Sequence, residues 1–269
     1  HNAGEALCVF PVKGLQPELW NPVTGEMRDL KCCDQKNDSV YIRLSFGDAQ
    51  SFFVVFRKRL QVEKTTESAN FTALQPIQTI NTTWLVRFDS LWGGPTKPVV
   101  FDKLTDWSQN EDSGIKYYSG TAVYSTRFDL TKATTAERYT LSLSIGKLNG
   151  VAHVILNGVD LGWLWTAPWE VSIPDGILNP TDNQLEIKVS NVWANRLIGD
   201  HQYDDDCEWL PGHQGGRFLK KFPEWFLKNE TRPAKERFCF TSWDYFTKDS
   251  PLVSAGLTSP VQILCLPNK

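Results

Sequence analysis

Methionine, histidine and excess positive charge are all in short supply in this chain of 269 residues, which has one Met, four His and a formal net charge of -3. Without a basic excess, and with a pI near 5.9, a nucleic-acid partner is not expected. The longest apolar run, Phe52 to Phe56, is far too short for a helical membrane span, and the chain is expected to be soluble. His1, His153, His201 and His213 show no metal-ligand spacing, and no Gly-x-Ser-x-Gly nucleophile motif occurs. Cys8, Cys32, Cys33, Cys207, Cys239 and Cys265 fit no zinc pattern, because the adjacent Cys32-Cys33 has no second pair to complete four ligands. They read as buried thiols or, in an exported protein, as disulfides whose pairing the spacing does not fix. The chain opens at His1 with no charged-then-apolar leader, so its natural N-terminus is expected to lie elsewhere. Helical periodicity is scarce throughout.

What is present is alternation. Tyr139, Leu141, Leu143 and Ile145 alternate with Thr140, Ser142 and Ser144, the period of a strand with one buried face. The pattern returns at Trp169, Val171 and Ile173, and at Leu185, Ile187 and Val189. Asn157-Gly158 supplies two residues tolerant of positive φ for a hairpin, and Pro180-Thr181-Asp182-Asn183 supplies a second turn. The composition, with 11 Trp and 15 Phe, suits a carbohydrate-handling sandwich and equally any packed β core.

Taken in order, residues 1–62 read as a small β unit, with strands at Leu7–Val12, Val40–Leu44 and Phe52–Phe56, and with Pro17-Glu18-Leu19-Trp20 leading into a turn at Asn21–Gly25. Residues 63–78 are polar and weakly patterned and read as a linker. Residues 79–269 form a second, larger unit with strands at Trp84–Phe88, up to Phe128, at Phe238–Trp243 and at Val261–Cys265. Pro223 opens a short helix through Lys228. The fold class is therefore all-β, in two units. Asn37, Asn70, Asn81 and Asn229 head N-x-Ser/Thr sequons that matter only in a glycosylating host.

Several motifs carry a resemblance. Leu156-Asn157-Gly158 with Leu161-Gly162, then Trp165-Thr166-Ala167-Pro168-Trp169, then the run from Asn191 to Asp200, resemble the C-terminal β-sandwich of family 106 glycoside hydrolases, the α-L-rhamnosidases. Asp249-Ser250-Pro251-Leu252 and Gly256-Leu257 add to it, and that sandwich is similar to the galactose-binding-like, sugar-binding domains of family 2 enzymes. The PELWNPVTGE run and the FVVFRK ending resemble the small β domain that follows the catalytic barrel in the same family, where the first unit here would lack its opening strand. The resemblance implies a small β domain followed by a galactose-binding-like jelly-roll sandwich, without catalytic residues, in the C-terminal region of an exported enzyme. Its implied partners are the upstream catalytic domain and carbohydrate, in particular rhamnose-containing plant polysaccharide such as pectin.

Two groups of residues are candidates for sugar contact. Trp163 and Trp165 can offer indole faces to the C–H face of a pyranose, although Trp165, with Trp169, equally suits core filling. Asn195, Arg196 and Asp200, with Asn191, can grip vicinal hydroxyls through forked hydrogen bonds; alternatively Arg196 and Asp200 form an ion pair that pins the loop after the last strand. Asp204 and Asp206, in the run Asp204–Asp206 with Glu208, are candidate calcium ligands by charge, but consecutive aspartates diverge and the spacing matches no calcium-loop geometry, which favours a solvated acidic loop. No spacing among Glu170, Asp175, Asp200, Glu208 and Glu224 nominates a catalytic pair, so no catalytic residue is assigned. His153 reads as a structural mid-strand histidine.

Overall fold

The computed structural model describes residues 3–60, 69–131 and 140–266. In the first unit, β1 (Gly4–Phe10), β2 (Leu15–Trp20), β3 (Met27–Asp29), β4 (Asp34–Lys36), β5 (Ser39–Phe46) and β6 (Phe53–Arg59) form two three-stranded antiparallel sheets, ordered β1-β5-β4 and β3-β2-β6. Val40, Ile42 and Leu44 alternate inward along β5 and meet Leu19 and Leu30 in a compact core. The residues Pro17 to Trp20, expected to lead into a turn, instead lie within the central strand β2, in which Gln16, Pro17, Glu18 and Leu19 are all buried. The register of β2 on β6 shifts between Gln16 and Pro17, which is how a central strand accommodates a residue with no N–H to donate.

The larger unit begins inside the stretch read as a linker. Residues 63–68 of that stretch lie outside the described residues, but Gln75–Thr79 is a strand, β7. Then follow β8 (Trp84–Arg87), β9 (Val99–Phe101), the short helix α1 (Ser113–Lys116), β10 (Thr121–Phe128), β11 (Thr140–Ser144), β12 (Val151–Leu156), β13 (Val159–Leu164), β14 (Glu170–Ile173) and β15 (Asn183–Ser190). Tyr139, expected to open β11, lies outside the described residues. The hairpin between β12 and β13 turns at Asn157 and Gly158, both at positive φ (51° and 79°), the conformation that the Asn-Gly pair predicts.

After β15 the chain forms a helix, α2 (Ala194–Asp200), where a loop was expected. A small sheet of β16 (Trp209–Pro211), β17 (Arg217–Leu219) and β18 (Trp243–Asp244) encloses the short helix α3 (Glu224–Leu227) in sequence. The strand expected at Phe238–Trp243 is reduced to Trp243–Asp244, because Phe238 and Cys239 give their N–H groups to Asp200 rather than to a neighbouring strand. The closing strand β19 (Gln262–Leu266) inserts between β11 and β7.

The two main sheets are ordered β13-β12-β15-β10-β8-β9 and β14-β11-β19-β7. Their facing residues share one core, with Val154, Ile187, Val189 and Tyr124 from the six-stranded sheet and Leu143, Ile173 and Ile263 from the four-stranded one. At its centre Trp107 and Tyr124 stack, with centroids 6.2 Å apart, and the indole Nε1 donates to the phenolic oxygen at 2.6 Å. The partner this gives the buried indole N–H satisfies a group that would be costly to leave unpaired.

Candidate functional site

The residues expected to contact sugar separate into two places. Asn195, Arg196 and Asp200 all lie on α2 and are buried, at 1%, 4% and 2% exposure. Asn195 locks to one residue at two points: its amide nitrogen donates to the carbonyl of Val253 at 2.7 Å, and its oxygen accepts the N–H of Val253 at 2.8 Å. Arg196 Nε donates to Asp200 Oδ1 at 2.9 Å, and Asp200 Oδ2 accepts the N–H groups of Phe238 and Cys239. The guanidinium also lies 5.0 Å from the Phe238 ring centroid. Of the two readings of these residues, this geometry fits the pin: the groups that would have gripped hydroxyls hold α2 to the segments around residues 238 and 253. Asn191 likewise turns inward, with its side chain bonded to the N–H of Gly120 and the carbonyl of Tyr118 at 2.9 Å each.

The acidic run does not fit a calcium site. The Asp206 carboxylate faces Arg232, and Asp205 faces Arg217 and Arg237, at 2.8 and 2.9 Å. Asp204 contributes its backbone carbonyl to Arg237. Burial pushes the Asp205 and Asp206 carboxyls up, but their guanidinium partners outweigh it and hold both below the usual range. The run is the acidic half of an ion-pair network that closes on Asp244, which also binds Arg217 and His201. A cation would have to displace several guanidinium groups.

Trp163 and Trp165 are placed differently, both on the surface at 60% and 59% exposure, so Trp165 does not fill the core. Trp169 does pack against it, as the alternation indicated. Trp163 stands opposite His153 in the β12–β13 pairing and stacks flat on it, with centroids 4.4 Å apart and planes 8° from parallel. His153 is held in turn by Asp160, at 2.8 Å from its Nε2. After β13 the chain runs through a cis Ala167–Pro168 peptide to Glu170, where β14 begins.

Together with the first unit these residues enclose a cleft of about 350 Å³, lined by Trp163, Trp165, Thr166, Glu170 and Ser172 on one side and by Asn21, Thr24 and Gln50 on the other. Burial raises the Glu170 carboxyl above its ordinary value. A broader concavity of about 720 Å³ on the outer face of the six-stranded sheet, around Thr83, Ser125 and Arg127, has no aromatic residue in its lining.

No family profile matches the chain. A protein of Formosa agariphila that bears the name beta-glucuronidase is 40% identical over 195 residues, which are 72% of this chain and 16% of that protein. Among solved structures, a rhamnosidase from Novosphingobium sp. PP1Y matches 98% of this chain and 22% of its own, at 28% identity and a TM-score of 0.77. The chain is a glycoside hydrolase-related region. It spans about a fifth or less of the length of either relative.

Within this glycoside hydrolase-related region, Asn21, Thr24, Gln50, Thr166, Glu170 and Ser172 are polar cleft residues that the sequence does not mark as site residues. In the sequence Glu170 stands only as one carboxylate available for a catalytic pair. Nothing in the local pattern around Asn21 or Gln50 points to a site, because only the packing of one unit against the other brings them opposite Trp163. Gly47, beside Gln50, marks that packing, since a Cβ there would lie 3.7 Å from Pro168. A second aromatic surface gathers Trp92, Trp193, Leu197, Phe238 and Phe240 around a groove of about 440 Å³, with Trp92 and Trp193 edge to face at 5.1 Å. Among the described residues, no helix is long and apolar enough to cross a membrane.

Proposed function

We propose that this region is a non-catalytic accessory part of an exported glycoside hydrolase resembling the family 106 α-L-rhamnosidases. In this reading the small β unit and a galactose-binding-like sandwich support an upstream catalytic barrel that acts on rhamnose-bearing plant polysaccharide. The observation that carries it is the match along nearly the whole chain, 98%, to a segment of a rhamnosidase at a TM-score of 0.77. The family resemblance of the Asn191–Asp200 run points the same way.

The carboxylates support a non-catalytic role. Glycoside hydrolysis generally uses two carboxyl groups about 5 to 9.5 Å apart across a cleft. Asp200 is tied to Arg196 and two backbone N–H groups, Glu208 to Lys220 and Lys221, and Glu224 to Lys228. Glu170 alone among the described carboxylates lines the Trp163 cleft. The exposed aromatic groove around Trp92 and Trp193 supports the packing role, being the kind of surface that a neighbouring domain covers.

The test is to incubate the chain alone with aryl α-L-rhamnoside and aryl β-D-glucuronide. Neither is expected to be cleaved, and release of the aryl group that stops on substitution of Glu170 would overturn the reading. A second reading, an independent carbohydrate-binding module, is favoured by the two exposed indoles of Trp163 and Trp165.

A further inference from the structure

We infer that the cleft between the Trp163–Ser172 segment and the first unit's Asn21–Thr24 and Gln50 loops is a subsite for one neutral pyranose of a glycan, seated against an indole face. This rests on the region's proposed place in a glycoside hydrolase and adds a site and a ligand class to it.

Size and shape come first. A volume of about 350 Å³ suits a single sugar residue rather than a long chain laid along a sheet. Next is the platform. A single exposed tryptophan is ordinary on a protein surface, but here two exposed indoles stand at one cleft. Trp163 is already rigid, with one face backed by His153 and that ring anchored by Asp160, so little side-chain freedom remains to be lost on binding. A flat apolar surface of this kind matches the C–H face of a pyranose.

The polar groups are arranged for hydroxyls. Asn21 Oδ1 is engaged by the N–H of Val23 at 3.0 Å and Gln50 Oε1 by the N–H of Gly47 at 2.8 Å. Each amide is thereby oriented, with its nitrogen as the remaining donor. Glu170, in the same lining, supplies a carboxylate acceptor, and a sugar hydroxyl, which both donates and accepts, can bond to either kind of group.

Charge selects the sugar. Glu170 is the one charged residue in the lining, and no lysine or arginine is there to pair with a uronate. An acidic sugar would bring a second carboxylate against Glu170 in a partly desolvated cleft, which is unfavourable. A neutral 6-deoxyhexose such as L-rhamnose meets no such cost and adds an apolar methyl group.

The experiment is calorimetric titration of the 269-residue chain at pH 7 with L-rhamnose, a rhamnose-terminated pectic oligosaccharide and D-glucuronate. Saturable binding of the neutral sugars at millimolar concentration is expected, with glucuronate at least about tenfold weaker. Trp165→Ala, at a position exposed enough to leave folding intact, should lower the neutral sugar's affinity about tenfold or more. Trp193→Ala, in the other aromatic groove, should leave it unchanged. Glu170→Gln should bring glucuronate toward the neutral sugar's affinity. Equal binding of glucuronate by the unaltered chain, or insensitivity to Trp165→Ala, would overturn the assignment. Absence of any neutral-sugar binding would overturn the subsite while leaving the accessory role standing, since that role falls only if the chain cleaves a glycoside.

Discussion

Arg196 and Asp200 face each other across one turn of α2, Nε to Oδ1 at 2.9 Å, with both side chains almost wholly removed from water. The second carboxylate oxygen reaches across to the N–H groups of Phe238 and Cys239. A single aspartate thus joins α2, the helix that follows β15, to a segment that makes little regular structure of its own. The spacing is held by Gly199, where a Cβ would come within 2.4 Å of Arg196 Nη2 and 2.5 Å of Tyr117 Cβ.

Breaking this pair should be costly. Arg196→Ala leaves Asp200 charged and buried without its cation, a situation that typically costs about 3–5 kcal/mol. Urea unfolding followed by tryptophan fluorescence measures it. A loss below about 1 kcal/mol would mean that the pair is solvated and that α2 is not pinned through it.

In the first unit, Glu18 predicts an acid-sensitive step. The Lys58 ammonium, 2.7 Å away, holds the carboxyl down, and the Trp20 N–H and Arg57 guanidinium assist against the opposing effect of burial, so that it titrates at about 2 rather than 4.5. The unfolded chain binds the proton first, so the stabilisation is complete above pH 4.5 and is lost as pH falls toward 2. Acid titration of the Trp20 region should show that loss, and Glu18→Gln should flatten it. An equally steep acid limb in the variant would place the dependence elsewhere.

Glu170 carries the opposite sign. Burial favours its protonated form in the folded state, so stability attributable to it falls as pH rises from its ordinary value through the raised one. Glu170→Gln should therefore raise Tm at pH 7 and change nothing at pH 4. The gain should be small, no more than about 2 °C, because the carboxyl is half-buried and partly screened by water. A lower Tm at pH 7 would indicate a stabilising partner for the charge.

The strands that were legible in the sequence are those whose residue types alternate. Leu141 and Leu143 flank a serine that is itself buried, Leu185, Ile187 and Val189 alternate in burial as well as in type, and Asn157-Gly158 marks its turn chemically. β2 was not legible, because it is covered on both faces and carries Pro17, so alternation and propensity both argue against a strand that tertiary packing nevertheless forms. α2 escaped for a related reason. Its cap residue, Trp193, makes no side-chain capping bond, and it is only seven residues long, too short for its period to stand out. The candidate site was half legible. Trp163 and Trp165 announce themselves by residue type, whereas Asn21 and Gln50 matter only through the packing of two units that no local pattern describes. Arg196 and Asp200 offered the right chemistry for a sugar, and one-turn spacing allowed the pair, but burial is decided by residues 238 and 253, far away in the chain.

Gly256 should be among the least replaceable glycines of the sandwich, with Gly146 and Gly150. It sits at φ +84°, in the left-handed region, and a Cβ there would lie 2.4 Å from Nε1 of Trp107. That indole has no room to move: it is fully buried, its N–H is bonded to Tyr124, and its backbone N–H bonds to the carbonyl of Ala255 at 3.0 Å. Tyr124 in turn accepts the N–H of Leu257, so the loop and the aromatic core are tied on both sides of the glycine. Gly256→Ala therefore combines backbone strain of about 1–2 kcal/mol with overpacking of about 1–3 kcal/mol. The expected result is a Tm lowered by several degrees together with a changed near-ultraviolet circular dichroism signal from Trp107. A variant as stable as the parent would require the 255–257 loop to lie off the indole, and with it the closing strand β19 would lose its anchor to the core.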